Sequence, residues 1–270
     1  MILAFPYFDP IGKFNESFQR QLPTLKSAFD AVCLSIVPPT AQANSKFVHY
    51  LESQGCLLAH NAHDTQHGTH SREALRLAGA QNPQSIFFGF QDRILFALET
   101  EWRESFLRDL DYFREKEFVL FERSQAAWDT HPANFREIEQ MVSRMFEFLH
   151  GVFIELMPCA FIFSHRTARV ILDQSISAST EVWGEWLLLA MQNKIPTVRQ
   201  SVDWLAWKDP HWEHVTPAEL KHIRETSPAE TIKRINMNVP SMLMLTEERF
   251  RSLEVPANMQ SKPEIEKLKS

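Results

Sequence analysis

The acid–base pair Asp92-Arg93 directly follows a short apolar run, residues 86–90 (IFFGF), in this 270-residue chain. Such a run is typical of a buried strand of a parallel sheet, and open α/β sheets bind ligands just past the carboxyl ends of their strands. The residues after the pair, 94–99, have helical character, so Asp92 could instead be a first-turn acid that interacts favourably with the helix dipole. The pair therefore has two interpretations, a ligand site or a helix start.

Strands and helices alternate along the chain before and after this pair. The predicted helices cover residues 15–29, 41–54, 71–80, 94–99, 101–116, 134–156, 164–173 and 179–192, and the predicted strands cover 2–7, 31–37, 55–60, 85–90, 117–121, 159–163 and 197–207. Alternation through short turns predicts an α/β fold with a mixed, mostly parallel sheet flanked by helices. We predict one domain over residues 1–215 and a C-terminal extension of short helices over 216–270.

Composition excludes several classes of protein. Hydrophobic residues make up 44% of the chain, which is typical of a globular protein, and the net charge of −6 with scattered basic residues argues against a nucleic-acid partner. No segment has the length and apolarity of a transmembrane helix or the basic start of a signal peptide. Three cysteines without a CxxC pattern indicate reduced core thiols, and we expect a cytoplasmic protein.

The low glycine content argues against nucleotide sites that depend on glycine-rich loops. The chain has only seven glycines and contains neither GxGxxG nor GxxxxGK[ST]. Both patterns need glycine so that backbone N–H groups can approach phosphate. We therefore expect neither a Rossmann dinucleotide site nor a P-loop, and any nucleotide should bind through another type of site.

Two segments resemble patterns of GT-A nucleotide-sugar glycosyltransferases, as seen in GT-A-like proteins of bacteria. The first runs from Gly68 through Arg72 to Asp92 and is similar to a glycine and an Ala-Arg-Asn helix that precede a strand ending in Asp-x-Asp. The second, residues 180–190 (TEVWGEWLLLA), resembles the acidic helix start that supplies an acceptor-side acid. The resemblance covers roughly residues 1–215 and implies a GT-A-like (Rossmann-like) fold.

The resemblance also implies a function and a set of residues. It implies a hexosyltransferase-like enzyme that transfers a sugar from a nucleotide-diphosphate donor to an unknown acceptor, with Glu185 or Glu181 acting on the acceptor side. A divalent cation, Mg²⁺ or Mn²⁺, would bind Asp92 together with the late histidines His211 and His214 and would neutralise the diphosphate. The implied donor-binding residues are Pro6, Tyr7, Pro39, Asn61, His70, Arg72, Asp92 and Arg93.

One position departs from the family pattern. Phe90 stands where the first aspartate of Asp-x-Asp is expected, so only the second, Asp92, is kept. One carboxylate holds a divalent cation less well than two, which favours either a metal-free member whose arginines Arg72 and Arg93 bind the diphosphate or a non-catalytic nucleotide- or sugar-binding protein.

The histidine-rich segment 60–70 (HNAHDTQHGTH) supports a third hypothesis. Imidazoles at this density can bind zinc, as in a metallohydrolase, but HExxH is absent and Asn61, Gly68 and the threonines favour a polar loop. Five of the seven tryptophans lie between residues 183 and 212, where they could form the core or a wall on which a sugar stacks.

Overall fold

A computed structural model describes residues 1–62, 66–157, 160–207 and 215–260. Over these ranges the chain alternates strands and helices, as the sequence predicts. Seven strands are present among the described residues: β1 (Ile2–Tyr7), β2 (Ala31–Ile36), β3 (Leu57–His60), β4 (Ser85–Phe88), β5 (Phe118–Arg123), β6 (Phe161–Ser164) and β7 (Thr197–Val202).

The strands form one mixed sheet in the order β3-β2-β1-β4-β6-β5-β7. Strand β6 is antiparallel to both of its neighbours, β4 and β5, and every other pair is parallel. The predicted fold class, an α/β fold with a mixed, mostly parallel sheet, is therefore confirmed.

Helices cover both faces of this sheet. In chain order they are α1 (Asn15–Ala28), α2 (Pro38–Ala43), α3 (Ser45–Ser53), α4 (His67–Gly79), α5 (Gln91–Glu99), α6 (Arg103–Phe113), α7 (Gln125–Thr130), α8 (Ala133–His150), α9 (His165–Gln174), α10 (Val182–Gln192), α11 (Pro217–Thr226), α12 (Pro228–Leu245), α13 (Glu248–Arg251) and α14 (Ala257–Gln260). None of these helices is long and apolar enough to cross a membrane.

The burial of strand β1 explains why helices pack on both faces of the sheet. All six of its residues are buried. Ile2 and Ala4 belong to the core under α4, α8 and α10, whereas Leu3 and Phe5 belong to the core under α1, α3 and α6. Successive side chains of a strand point to opposite faces, so an all-apolar strand places a hydrophobic core on each side of the sheet.

Several elements begin or end at other residues than predicted. Helix α5 starts at Gln91, so Asp92 lies in its first turn. Helix α4 starts at His67, within the segment predicted as a loop, and α8 ends at His150 because Gly151 adopts a left-handed conformation with φ of 77°. Glycine adopts this conformation without steric cost, which makes it a common helix terminator.

The C-terminal helices pack onto the same core. Met244, Leu245 and Phe250 join the cluster under α10, and the Asn258 amide donates to the Thr197 carbonyl oxygen at the start of β7 (2.7 Å). Helix α11 begins with a capping box in which Thr216 and Glu219 each bond the other's backbone N–H. The boundary at residue 215 stays a prediction.

The strand order creates a crevice at one edge of the sheet. From β1 the chain moves outward to β2 and β3, and then β4 returns to the opposite side of β1. Since β1 and β4 are parallel, their carboxyl ends lie side by side and the loops that follow them diverge. Such a topological switch point is where open α/β sheets bind ligands.

Candidate functional site

A cavity of about 310 Å³ lies at this switch point. Lys13 and Phe14, which follow β1, line it together with Phe90, Asp92 and Arg93, which follow β4. Residues after β5 and β7 add further walls, and α12 closes one side with Arg234, Met237 and Asn238. The volume falls at the small end of the range for ligand sites.

The lining is rich in positive charge. The cationic side chains are Lys13, Arg93, Arg123, Arg224 and Arg234, whereas Asp92 and Glu139 are the carboxylates among the described lining residues. The lining thus has five cations and two carboxylates, and a third carboxylate, Glu155, pairs with Arg123 from behind the lining. A low-dielectric cavity with this excess favours an anionic ligand.

Arg123, the last residue of β5, is the most firmly held of these cations. Its backbone N–H and its Nε donate to the two oxygens of Glu155 (2.7 and 2.5 Å), and its Nη2 pairs with Glu139. The guanidinium carbon lies 3.7 Å from the centre of the Trp128 ring. Arg123 is therefore a fixed charge at the back of the cavity, neutralised on its inner side.

Arg234 on α12 contrasts with Arg123 because its guanidinium has no hydrogen-bond acceptor among the described residues. It stacks over Phe135 at 4.3 Å and makes no hydrogen bond or ion pair with the protein in the part of the chain that the structure describes. Burial, opposed by the nearby charge of Glu139, lowers the pKa of Arg234 from its usual value. The residue is half-buried, and a ligand in the cavity could supply the acceptors that its guanidinium lacks among the described residues.

Asp92 and Arg93 lie together at the mouth of the cavity. The Arg93 Nε donates to Asp92 (3.1 Å), and its Nη1 donates to the Ala206 carbonyl oxygen beyond β7 (2.7 Å). About a third of the Asp92 side chain remains exposed. The pair thus lines the cavity and also lies in the first turn of α5, as the helix-start interpretation predicts, whereas its role in ligand binding stays a prediction.

Aromatic rings form the wall beside Asp92. The Phe90 and Trp183 rings meet edge to face with centres 5.0 Å apart, and His67 contacts the same indole at 6.1 Å. All three line the cavity. Phe90 therefore contributes an apolar surface at the position where the sequence resemblance implies a carboxylate.

Arg72 and Glu185 do not line this cavity. Arg72 donates to the carbonyl oxygen of Ser177, while the fully buried Glu185 accepts from the Ser175 hydroxyl (2.5 Å) and the Ser177 backbone N–H (3.2 Å). Arg249 completes the Glu185 shell at 3.0 Å. Both residues hold the segment 175–178, and the assignment of Glu185 to acceptor chemistry stays a prediction.

Gly68 allows this segment to approach α4. Its N–H donates to the Ala178 carbonyl oxygen (2.9 Å), and a Cβ placed on Gly68 would lie 2.2 Å from the Ser177 carbonyl oxygen. Glu181 accepts from the backbone N–H groups of Ala178 and Ser179 at 3.1 Å each. Gly68, Glu181 and Glu185, which belong to the two segments that resemble glycosyltransferase patterns, thus all contact one loop, residues 175–179.

The other predicted donor-binding residues lie at the carboxyl ends of β1 to β3, outside the cavity. Pro6 and Tyr7 are buried, and the Tyr7 hydroxyl donates towards Asp9 (3.3 Å). Pro39 is in the first turn of α2, where proline is favoured. The Asn61 amide donates to Ser35 Oγ (2.8 Å), which also bonds His70 Nδ1 (2.6 Å).

The described side chains do not fit a resident divalent cation. No group of three or more His, Cys, Asp or Glu residues among them could hold a metal, and Asp92 is bonded to Arg93. Mg²⁺ and Mn²⁺ prefer several oxygen ligands. The predicted ligands His211 and His214 lie outside the described residues.

The histidines of segment 60–70 do not converge in the part that the structure describes. His60 pairs with Glu52 (3.1 Å), His70 bonds Ser35, and His67 faces the cavity. His63 and Asp64 lie outside the described residues. The arrangement therefore gives no support to a zinc site formed by His60, His67 and His70.

The cavity residues that sequence reasoning did not predict include Arg123, His131, Glu139 and Arg234. Arg123 follows the predicted strand 117–121, where the switch-point rule could have drawn attention to it. The other three lie on α8, α12 and the turn before α8. Only the packing of these helices over the sheet places them at the crevice.

Comparisons with known proteins give no family for the chain. No family model and no curated protein sequence matches it. Solved structures that superpose on it include glucosyl-3-phosphoglycerate synthase of Mycobacterium tuberculosis, with 10% identity and a TM-score of 0.46 over 87% of this chain and 80% of that one.

Two further neighbours have the same level of similarity. The same synthase in complex with Mn²⁺, UDP-glucose and phosphoglyceric acid shares 11% identity at a TM-score of 0.46, over 87% of this chain and 79% of that one. A mycobacterial protein shares 13% identity at a TM-score of 0.44, over 87% and 74% of the two chains. With TM-scores below 0.5, these superpositions do not decide the family or the chemistry of this chain.

Proposed function

We propose that the cavity binds the diphosphate and sugar of a nucleotide-diphosphate sugar, and that the chain is a glycosyltransferase-like protein that transfers this sugar to an acceptor. The observation that carries the proposal is Arg234, a guanidinium that lines the cavity at the switch point and has no acceptor among the described residues. A diphosphate would supply those acceptors, since guanidinium and phosphate oxygens form charge-assisted, often bidentate hydrogen bonds.

The charge and the shape of the cavity support the same ligand. Lys13 lies on the loop after β1 and Arg93 in the first turn of α5, so they would meet the diphosphate from the side opposite α12. Trp183 and Phe90 offer an apolar wall on which the face of a pyranose would pack, and Asp92 beside them would accept hydrogen bonds from sugar hydroxyls. The nucleoside would then extend towards the ends of β2 and β3.

In this proposal the cationic side chains neutralise the leaving group. Negative charge grows on the diphosphate as the glycosidic bond breaks, and fixed guanidinium groups that face the diphosphate stabilise it. Arg93 is oriented by Asp92 and the Ala206 carbonyl oxygen, and Arg123 by Glu155. Arg72 and Glu185 have a positioning role, because they hold the segment 175–178 that packs on α4.

Phe90 favours one alternative, a nucleotide- or sugar-binding protein without catalysis. Its ring packs on Trp183 at the position where the resemblance implies a carboxylate. The two functions share the cavity and differ in turnover. Binding of the donor without release of nucleoside diphosphate would indicate the second.

Calorimetric titration tests the proposal most directly. The purified chain is titrated with UDP, GDP, UDP-glucose and GDP-mannose, each with Mn²⁺ and with EDTA. We expect saturable binding of at least one nucleotide, weakened by salt because the contacts are ionic. Absence of binding by all four ligands under both conditions would contradict the proposal.

A further inference from the structure

His131 lies in the turn between α7 and α8 and lines the same cavity. Its backbone N–H donates to the Trp128 carbonyl oxygen (3.0 Å), and only 3% of the residue is exposed. The ring is flanked by Phe135, with centres 5.0 Å apart, and by Trp128 at 5.8 Å. The imidazole is therefore fixed in orientation by two rings and by its own turn.

One hydrogen bond decides which nitrogen of His131 carries the proton. The Nδ1 atom lies 2.9 Å from the Ala127 carbonyl oxygen, which can only accept. Nδ1 must therefore carry the hydrogen, and the neutral ring has its lone pair on Nε2. Nε2 bonds no described residue and is not among the buried atoms that lack a partner, so it is open to the cavity.

Burial and the surrounding charges keep His131 neutral. Burial lowers the pKa of the ring well below its usual value, and the charges of Arg123 on β5, Arg93 on α5 and Arg234 on α12 lower it further. The carboxylates that line the cavity are engaged elsewhere, because Glu139 on α8 pairs with Arg123 and Asp92 on α5 pairs with Arg93. At neutral pH, Nε2 is thus an unprotonated base beside an anion-binding surface.

We propose that His131 Nε2 is the general base of the transfer reaction, an inference that rests on the proposed function. The acceptor oxygen forms a bond to the anomeric carbon as the bond from that carbon to the diphosphate oxygen breaks. The electron pair leaves with the nucleoside diphosphate. The hydroxyl proton of the acceptor passes to Nε2 and then to solvent. A single displacement of this kind inverts the anomeric configuration.

Two variants separate the base from the scaffold. His131→Asn keeps an amide N–H that can donate to Ala127 but has no group at the Nε2 position. His131→Gln places an amide near the Nε2 position that cannot take a proton at neutral pH. His222→Gln, on the exposed face of α11, is the matched control. Release of nucleoside diphosphate from each donor is measured with water and with glycerol as acceptors.

We expect both His131 variants to bind the donor with a Kd within about twofold of the wild type and to release nucleoside diphosphate about 10²- to 10⁴-fold more slowly, which is the usual effect of losing a general base. The control variant should keep the wild-type rate. Equal rates in the His131 variants would overturn the inference. So would a wild-type chain that binds the donor but releases no nucleoside diphosphate with either acceptor.

A spectroscopic measurement distinguishes this failure from failure of the proposed function. In ¹⁵N-labelled protein, the imidazole of His131 should have its proton on Nδ1 and stay neutral from pH 7 to 6, assigned by its loss in His131→Asn. A ring protonated on Nε2 would overturn the inference even if donors bind. Absence of all donor binding, with the expected tautomer in place, would overturn the proposed function instead. The glycosylated product should have the anomeric configuration opposite to that of the donor.

Discussion

Arg72 and Glu185 contact the same residue, Ser177, from two sides. The Arg72 guanidinium donates to the Ser177 carbonyl oxygen, and the Glu185 carboxylate accepts from the Ser177 backbone N–H at 3.2 Å. The two oppositely charged side chains thus bind the same peptide segment and do not face each other across a ligand cleft. Their spacing in the chain, which resembles that of glycosyltransferase site residues, here serves to fasten the segment 175–178 to α4 and α10.

The first prediction concerns the stability that Glu185 supplies. Glu185→Gln should lower the free energy of unfolding by ~2–4 kcal/mol, because the amide keeps one acceptor oxygen where the carboxylate has two and loses the charge that pairs with Arg249. Urea denaturation measures the change. Glu137→Gln, an exposed carboxylate on α8, should change it by less than about 0.5 kcal/mol.

The same variant tests the acceptor-side role of Glu185. If it positions the segment, nucleoside diphosphate release by folded Glu185→Gln should stay within a few-fold of the wild-type rate. A loss of more than about 100-fold with unchanged stability would instead indicate a catalytic carboxylate.

The second prediction concerns Arg234 as an anion receptor. Arg234→Met keeps the stem that packs on Phe135 but removes the guanidinium, so UDP affinity should fall by about 10- to 100-fold, the effect of losing one charged hydrogen bond. Calorimetry in low salt measures the Kd. Arg144→Met, on the exposed face of the neighbouring helix α8, is the control and should leave the Kd unchanged.

The Arg234→Met variant also carries an expectation for the stability of the fold. Because the Arg234 guanidinium has no acceptor in the described part of the chain, its removal should leave the free energy of unfolding unchanged or slightly higher. An unchanged UDP affinity in Arg234→Met would show that the diphosphate does not bind under α12.

The third prediction concerns the divalent cation. The described residues bring only Asp92 and the ion-paired Glu139 to the cavity as carboxylates. We therefore expect the Kd for UDP to differ by less than about threefold between EDTA and Mn²⁺, since one carboxylate bonded to an arginine binds such ions weakly. A gain of tenfold or more with Mn²⁺ would indicate that further ligands complete the shell, and the variants His211→Ala and His214→Ala would identify them.

Sequence reasoning predicted the sheet well and the site only in part. Strands such as β1 and β4 are apolar along their whole length, which predicts burial on both faces without further information. The location of Asp92 and Arg93 could also be predicted, because residues that follow a parallel strand lie at the edge of the sheet where the carboxyl ends of the strands meet. Arg234 could not be placed in this way, because its position depends on how α12 crosses the sheet.

For Glu185 the sequence predicts the position but not the role. Its position at the start of α10 agrees with a functional acid and with a structural one equally, and only the contacts separate the two. It is fully buried and accepts hydrogen bonds from Ser175, Ile176 and Ser177. A local pattern carries no information about which long-range partners saturate a side chain, and here these partners decide the role.

The last prediction is a pH dependence of stability that arises from His70. Burial lowers the pKa of His70 to about 4 in the folded protein, with a smaller contribution from the charge of His67. In the unfolded chain the group titrates near 6.5. Between these values the unfolded state binds the proton and the folded state does not, so the free energy of unfolding falls as pH falls below 6.5, and the contribution is unaffected above it.

Comparison of variants isolates this contribution. From pH 7 to pH 5 the wild type should lose about 2 kcal/mol more than His70→Gln, whose amide can still bond Ser35 but does not titrate. The exposed His222→Gln should follow the wild-type curve. Urea denaturation at half-unit pH steps measures the difference. Parallel curves for the wild type and His70→Gln would show that His70 titrates alike in both states, and hence that the pocket formed by Ser35, Asn61 and Tyr7 admits the charged ring.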